Sequence, residues 1–203
     1  YKNSKEAIYY VDNSIDSLSI LKNTKLIEKS AFEFSNLKKI DFQVDCQLEK
    51  IKKFAFRNLQ IEEISIPDSV TSIGNNAFYN CKLLKKVNIT PQSHLKIIKS
   101  SAFEKCGIES FVFPSTLETI KDFAFFECFN LAKIDNYSEK IEFGYKSLAR
   151  SGIENIEFPS NSFFDNSSFK ECVKLKEIVF KENVNKVIFG QESFACSGLE
   201  SLK

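Results

Sequence analysis

The sequence repeats itself at intervals of 21 to 25 residues, and this repetition constrains the fold more than any other feature. Each repeat contains a small residue followed by a large apolar one, a pair that we call the anchor. The eight anchors are Ala31-Phe32, Ala55-Phe56, Ala77-Phe78, Ala102-Phe103, Ala124-Phe125, Ser147-Leu148, Ser168-Phe169 and Ser193-Phe194. A recurring period of this length is the signature of a solenoid, in which each repeat is one coil of a stack.

Two further columns of apolar residues keep the register of the anchors. Five residues before the large anchor residue stand Ile27, Ile51, Ile73, Ile98, Ile120, Phe143, Phe164 and Phe189. Eight or nine residues after it stand Ile40, Ile64, Val87, Phe111, Ile134, Ile156, Ile178 and Leu202. A single repeat cannot bury these side chains, whereas stacked repeats can. The columns therefore predict the interior of the stack.

The segments after the anchors predict short strands, because apolar and polar residues alternate there, as in residues 61–66. The prolines that follow such segments, where the chain must turn, are Pro67, Pro91, Pro114 and Pro159. The anchor segment is too short for an independent helix and predicts a helical or 3₁₀ turn. The expected fold is a strand-dominated α/β solenoid, with one parallel β-sheet on a concave face and short helical turns opposite.

The chain divides into two predicted regions. Residues 24–203 contain the eight repeats, whereas residues 1–23 lack an anchor and predict an N-terminal cap or partial repeat. Within the latter, residues 7–12 predict a strand. The stack needs a polar cap at each end, and residues 199–203 provide none. We therefore expect further repeats, another module or a second molecule to cover that end.

The spacing between the anchor and the next apolar residue alternates from the second repeat onward. The spacing is six residues after Phe78, Phe125 and Phe169. It is five residues after Phe56, Phe103, Leu148 and Phe194. Such alternation indicates that the true repeating unit is a pair of coils.

Two segments show a family resemblance. Residues 70–89 read Val-Thr-Ser-Ile-Gly-Asn-Asn-Ala-Phe-Tyr-Asn-Cys-Lys-Leu-Leu-Lys-Lys-Val-Asn-Ile, and residues 117–131 read Leu-Glu-Thr-Ile-Lys-Asp-Phe-Ala-Phe-Phe-Glu-Cys-Phe-Asn-Leu. Both resemble the BspA-like, or Treponema-type, class of leucine-rich repeats. The resemblance covers residues 24–203 and is weakest in the sixth repeat, where Leu148 replaces Phe.

The resemblance carries implications for fold, location and function. It implies a right-handed leucine-rich-repeat coil stack. Family members are typically surface or secreted proteins of anaerobic bacteria and parasitic protists, and several are implicated in adhesion to host matrix proteins or to other microbes. By resemblance, we expect a surface or secreted protein.

Composition argues against several functional classes. The 28 basic and 27 acidic residues leave a net charge of +1, without the basic stripe of a nucleic-acid-binding protein. No apolar run is long enough to span a membrane, and no signal-peptide pattern is present. His94 is the single histidine, and phosphate-loop and nucleophile motifs are missing from the sequence. We therefore expect no catalytic residue, no metal and no cofactor.

Four of the six cysteines share one column, three residues after the large anchor residue. They are Cys81, Cys106, Cys128 and Cys172. Leu59 and Ser151 occupy the same column elsewhere, which favours a small buried slot filled by reduced thiols. Disulfides between neighbouring coils are the alternative, since stacked positions approach one another. A metal site is not expected, because Cys-x-x-Cys does not occur.

Charged residues recur two positions before the central apolar residue of each strand. The column reads Lys38, Glu62, Lys85, Glu109, Ala132, Glu154, Lys176 and Glu200. Opposite charges on neighbouring strands stabilise a sheet by about 0.2–1 kcal/mol per pair. We interpret the column as a cross-strand charge ladder, with ligand recognition as the alternative.

The candidate binding residues are those that alternate with the buried strand residues and so point outward from the concave face. They are Lys39, Asp41, Gln43, Glu63, Ser65, Lys86, Asn88, Ser110, Val112, Lys133, Asp135, Tyr137, Asn155, Glu157, Glu177 and Val179. Tyr137 is the aromatic member and the best hot-spot candidate. Asn88 also begins a glycosylation sequon, and a glycan there would obstruct binding. A merely solubilising polar face is the alternative.

Two functional hypotheses follow from the sequence and the resemblance. The first is a non-enzymatic adhesion module that recognises a host or neighbouring-cell protein through the concave sheet. The second is an intracellular or structural repeat scaffold with no ligand of its own. Neither hypothesis involves nucleic acid or a membrane span.

Overall fold

Strands and the turns between them make up the fold. The computed structural model describes residues 2–4, 6–10, 14–159, 161–181 and 187–203. The strands are β1 (Lys2–Ser4), β2 (Ala7–Tyr10), β3 (Ser17–Ile20), β4 (Leu26–Ile27), β5 (Lys39–Phe42), β6 (Lys50–Ile51), β7 (Glu63–Ser65), β8 (Ser72–Ile73), β9 (Lys86–Asn88), β10 (Ile97–Ile98), β11 (Ser110–Phe113), β12 (Thr119–Ile120), β13 (Lys133–Asn136), β14 (Glu142–Phe143), β15 (Asn155–Phe158), β16 (Phe163–Phe164), β17 (Glu177–Phe180), β18 (Ile188–Phe189) and β19 (Ser201–Leu202). The described residues contain no helix.

Two ladders of strands run along the stack, because each coil contributes a two-residue strand before its anchor and a second strand after it, which is longer except in β19 of coil 8. The coils are numbered 1 to 8 by their anchors. The short strands form one sheet in the order β1-β2-β4-β6-β8-β10-β12-β14-β16-β18. The longer strands form three groups, β3-β5, β7-β9-β11-β13 and β15-β17-β19. The prediction of a single sheet missed the short-strand ladder, since two residues are too few for alternation to show.

The residues before the first anchor extend both ladders. β2 pairs in parallel with β4, and β3 pairs in parallel with β5. β1 pairs with β2 in the antiparallel direction, unlike the other strand pairs of the described residues. This N-terminal part therefore adds a coil that lacks an anchor. Of the predicted strand at 7–12, Val11 and Asp12 lie outside the described residues.

The anchor segments form turns where the sequence predicted helical or 3₁₀ turns. The residue before the small anchor residue and the third residue after it have φ between 50° and 62° in all eight coils. Phe32 N donates to Ala55 O of the next coil at 2.8 Å, whereas Ala31 N donates within its own turn to Glu28 O at 3.2 Å. Along the anchor turns of coils 1 to 7, one amide donates to the next coil and the following amide donates within its own turn. A helix cannot form, because it needs successive amides to bond along its own axis.

The three predicted apolar columns form the core. Apart from the last coil, every member of these columns is buried, and the large anchor residues from Phe32 to Phe169 are fully buried. Each buried Phe or Ile stabilises the stack by about 1.5–3 kcal/mol before chain entropy is subtracted. In coil 8, Phe189 and Leu202 are exposed. The interior therefore depends on the neighbouring coils, as expected for a solenoid.

Glycines accompany the alternating spacing between the anchor and the next apolar residue. The short coils 4, 6 and 8 carry Gly107, Gly152 and Gly198 at the same position. A Cβ on Gly107 would lie 2.2 Å from Lys82 O, and the other two glycines approach the preceding coil as closely. The preceding coils 3, 5 and 7 are the long ones. The backbone of their longer turn lies against the glycine of the short coil, as Lys82 O does at Gly107. Coil 2 is short but follows another short coil, and it carries Gln60 at this position.

Candidate binding surface

The outward side chains of the longer strands form one surface, which we call the long-strand face. In β5, exposed Lys39 and Asp41 flank buried Ile40, and the same alternation recurs along the ladder. The candidate residues predicted from the sequence are all exposed or half-buried on this face. Tyr137 follows directly after β13 and is 50% exposed. The structure therefore brings the candidates together, and their role in binding stays a prediction.

Ion pairs along individual strands neutralise part of the charge of this face. Lys39 Nζ lies 2.8 Å from Asp41 Oδ2, and Lys133 Nζ lies 2.9 Å from Asp135 Oδ1. The hydrogen bond that Lys133 donates to Asp135 raises the pKa of its ammonium group. Both pairs are largely exposed, so each contributes little to stability. Their effect is to hold the side chains in a defined arrangement.

Other contacts of the long-strand face join neighbouring strands. The Asn88 amide donates to Glu63 Oε1 at 2.6 Å. Lys203 pairs with Glu177, and the hydrogen bond from Lys203 lowers the pKa of that carboxyl. The column from Lys38 to Glu200, which the sequence predicted to be a charge ladder, forms no ion pairs between its own members among the described residues. The side-chain contacts between neighbouring strands come from the outward residues of the strands, such as Glu63 and Asn88.

Two grooves open on the long-strand face where its ladder is interrupted. The first has a volume of about 640 Å³, lies between β5 and β7, and is lined by Lys39, Asp41 and Glu63 among others. The second has a volume of about 480 Å³ and lies between β13 and β15, with Asn155 and Val179 in its lining. The short-strand ladder is continuous between the same coils, where β4 pairs with β6 and β12 with β14, so only the long-strand ladder is interrupted. The sequence pattern did not predict the interruptions, although they lie where it changes: between the two short coils 1 and 2, and before coil 6, where Leu148 replaces Phe.

Sequence reasoning missed a group of cations and aromatic rings on the anchor turns. The Arg57 guanidinium carbon lies 5.1 Å from the Phe54 ring centroid and 5.4 Å from that of Tyr79. Arg57 also pairs with Glu33 of the preceding coil at 3.1 Å. Phe34, 62% exposed, lies on the same turns. The sequence does show aromatic and basic residues beside the anchors, such as Phe54 and Arg57, but they lie outside the alternating strand pattern from which the candidate residues were chosen.

The cysteine column forms a ladder of hydrogen bonds between coils. Cys106 Sγ donates to Phe78 O of the preceding coil at 2.9 Å. The equivalent bonds run from Cys81 to Phe56, from Cys128 to Phe103 and from Cys172 to Leu148. Burial raises the pKa of Cys128 to about 12 and that of Cys172 to about 11. All six cysteines are free thiols in the structure.

Two kinds of feature are absent from the described residues. No cluster of three or more His, Cys, Asp or Glu residues suited to hold a metal ion occurs in this part of the chain. The same residues include no helix long and apolar enough to cross a membrane.

Comparisons with known proteins agree with the geometry of the stack. The profile of the BspA type leucine-rich repeat region matches the chain in six copies, over residues 3–113 and 96–203. A leucine-rich repeat protein from Bacteroides ovatus has a similar structure, with a TM-score of 0.57 and 20% identity over 96% of this chain and 69% of that one. The pneumococcal vaccine antigen PcpA is also similar, with a TM-score of 0.52 and 21% identity over 92% of this chain and 70% of that one. Among curated protein sequences, none matches the chain significantly.

Proposed function

Because the chain belongs to the BspA-type leucine-rich repeat family, we propose that it is a non-enzymatic binding module of a surface or secreted protein. Its ligand is a protein of a host or of a neighbouring cell, and its binding surface is the long-strand face. The observation that carries this proposal is the pair of grooves at the two interruptions of the long-strand ladder. Repeat stacks offer such extended faces to their partners.

The grooves suit a polypeptide partner. They combine cations, carboxylates and apolar side chains: Lys39 and Glu63 with Leu83 at the first groove, and Lys133 with Val179 at the second. Leu83 is 45% exposed, so it offers apolar surface beside the charges. Mixed surfaces of this kind are typical of non-obligate protein interfaces. At both grooves the neighbouring long strands lack regular ladder pairing, so each groove lies between the outward side chains of two adjacent strands.

The structural-scaffold alternative is favoured by a different observation. Lys39 with Asp41 and Lys133 with Asp135 pair within single strands, which is the arrangement expected of a face that only keeps the stack soluble. Under that alternative the face has no ligand.

The test is a binding screen of the chain against an array of extracellular-matrix and cell-surface proteins. Lys86→Glu combined with Lys133→Glu should weaken any specific interaction about tenfold or more, since rim charges steer and orient partners. Lys50→Glu combined with Lys99→Glu makes the same change in net charge on the other ladder and serves as the matched control. Equal affinity of the two double variants would place binding away from the long-strand face. A screen without any specific interaction would favour the scaffold.

A further inference from the structure

A depression beside the short-strand ladder concentrates positive charge. It lies across coils 1 to 4 and has a volume of about 300 Å³. Five lysines line it: Lys29, Lys50, Lys52, Lys53 and Lys99. Lys52 pairs with Glu28 at 2.8 Å, and the other four form no ion pair among the described residues. The net charge of the whole chain is only +1, so this concentration is a local feature.

Gly74 lets the backbones of coils 2 and 3 pack closely in the midst of these lysines. It belongs to coil 3 and occupies the same column as Lys52 of coil 2 and Lys99 of coil 4. A Cβ at this position would lie 2.6 Å from Lys52 C and 2.8 Å from Ile51 O, so no side chain fits. Neighbouring coils are about 4.8 Å apart. The column therefore carries no side chain between Lys52 and Lys99.

The charge of this depression is not a general property of the stack. Some cations elsewhere on the surface do have carboxylate partners: Lys170 lies 2.7 Å from Glu192, and Arg150 pairs with both Glu127 and Glu171. At the positions that correspond to three lysines of the depression, one later coil in each case carries an acid. Lys53, Lys50 and Lys99 correspond to Asp122, Glu142 and Asp165. A cluster of like charges without partners opposes folding, so its natural complement is an anion.

We propose that the depression around Gly74 binds the sulfate or phosphate ester groups of an anionic polysaccharide. Ammonium groups bind such esters as point charges. The exposed Asn75 amide and the Ser72 hydroxyl lie in the same lining and can bond to ester and sugar oxygens. A volume of about 300 Å³ accommodates one charged group with part of its sugar ring.

Two other anionic partners fit less well. Single-stranded nucleic acid binds where bases stack on aromatic rings, and the lining has none. Phe54, nearby, is covered by Lys53 Nζ at 4.6 Å from the ring centroid. A bilayer surface is flat, whereas the lysines surround a concave space whose one large apolar residue, Ile51, is buried. A polysaccharide can place a protruding ester group into that space.

The test uses heparin as the sulfated probe and titration calorimetry at low salt. Lys50→Glu combined with Lys99→Glu should raise the Kd for heparin about tenfold or more, because two charges near the bound anion are reversed. Lys86→Glu combined with Lys133→Glu is the matched control and should change the Kd less than about twofold. Added salt should weaken the interaction. Desulfated heparin should bind much more weakly than heparin.

Acetylation of the wild-type chain provides a readout that does not depend on the folding of any variant. Heparin should protect Lys29, Lys50 and Lys99 from acetylation but leave Lys174 reactive. The proposal is overturned if heparin does not bind, if both double variants lose affinity equally, or if DNA or anionic vesicles bind as tightly as heparin. These outcomes are independent of protein binding at the long-strand face, so either proposal can fail alone.

Discussion

The first five coils stack rings in the anchor column alone, whereas the last three use a second column; coils 7 and 8 also stack their anchor rings, Phe169 and Phe194, at 5.5 Å. In coils 1 to 5 the anchor rings, from Phe32 to Phe125, stack with centroids 4.7 to 5.3 Å apart. In coils 6 to 8 a second stack runs through Phe143, Phe164 and Phe189, with centroids 5.0 and 5.1 Å apart. The second stack occupies the column that holds Ile in the first five coils.

The difference shows that coil 6 can carry its stacked ring in the short-strand column in place of the anchor column. Coil 6 replaces the anchor Phe with Leu148 and the short-strand Ile with Phe143, an exchange that keeps the volume similar. Leu148 is fully buried, and its amide still donates to Ser168 O of the next coil at 2.9 Å. The weakest repeat by motif is therefore intact in its turn and its packing.

Removing a ring from the first stack should have the largest effect. Phe103→Ala removes a fully buried ring that stacks on both Phe78 and Phe125. We expect the free energy of unfolding to fall by about 3–5 kcal/mol, because a cavity remains between coils. Phe129→Ala, at a position 60% exposed, is the control and should cost little. Denaturant titration measures both, and a loss below about 1 kcal/mol for Phe103→Ala would contradict the stacking argument.

The sequence was sufficient for the columns and insufficient for the turns. Phe103 and Ile98 recur with the period, so their burial was readable from the pattern alone. The left-handed turn positions are occupied by residues such as Lys105 and Glu127, which give no local signal for positive φ. Their conformation follows from hydrogen bonds to the next coil, and a sequence pattern does not show those bonds.

The candidate surfaces, too, could be predicted from the sequence only in part. Alternation was enough to place Lys86 and Asn88 on the outward side of their strand. The grooves depend on where two long strands lose their pairing, and the lysine depression depends on Gly74 lying between two lysine-bearing coils. Both are properties of neighbouring coils taken together, which a single repeat does not encode.

A methyl group between a long and a short coil should have the next largest effect. Gly107→Ala places a Cβ 2.2 Å from Lys82 O, so the two coils must move apart. We expect a loss of about 1–3 kcal/mol from this overpacking. Gln60→Ala is the matched control at the equivalent position of coil 2, which follows a short coil. If both changes cost the same, the glycines have no role in the alternation.

Exchanging the two columns tests their equivalence more finely. Phe143→Ile should leave a cavity beside Phe164, and Leu148→Phe should overpack coil 6, each at a cost of about 1–3 kcal/mol. The double variant restores the arrangement of coil 5 and should recover part of that cost, giving a coupling of about 0.5–3 kcal/mol. Thermal unfolding of all four proteins measures the coupling. Strictly additive losses would mean that the columns are independent.

The smallest expected effect is a difference between coils 1 to 5 and coils 6 to 8 in how their buried thiols make stability depend on pH. Cys128 has its pKa raised from 9.0 to about 12 by burial, whereas the pKa of Cys172 reaches about 11, since a hydrogen bond with Ser151 of coil 6 opposes burial there. A thiol with a raised pKa in the folded state stabilises that state fully below pH 9.0, and the stability is lost as pH rises toward the folded pKa.

Wild-type stability should accordingly be insensitive to these thiols at pH 7 to 8 and should fall above about pH 9, by up to about 1.4 kcal/mol per pH unit for each thiol. Cys128→Ser should remove more of this slope than Cys172→Ser near pH 11, where the Cys172 thiol reaches its folded pKa and the Cys128 thiol does not. Urea unfolding at a series of pH values from 7 to 11 measures the slopes. Equal slopes in the two variants would show that Ser151 in coil 6 does not distinguish the thiol ladder of the last coils from that of the first five.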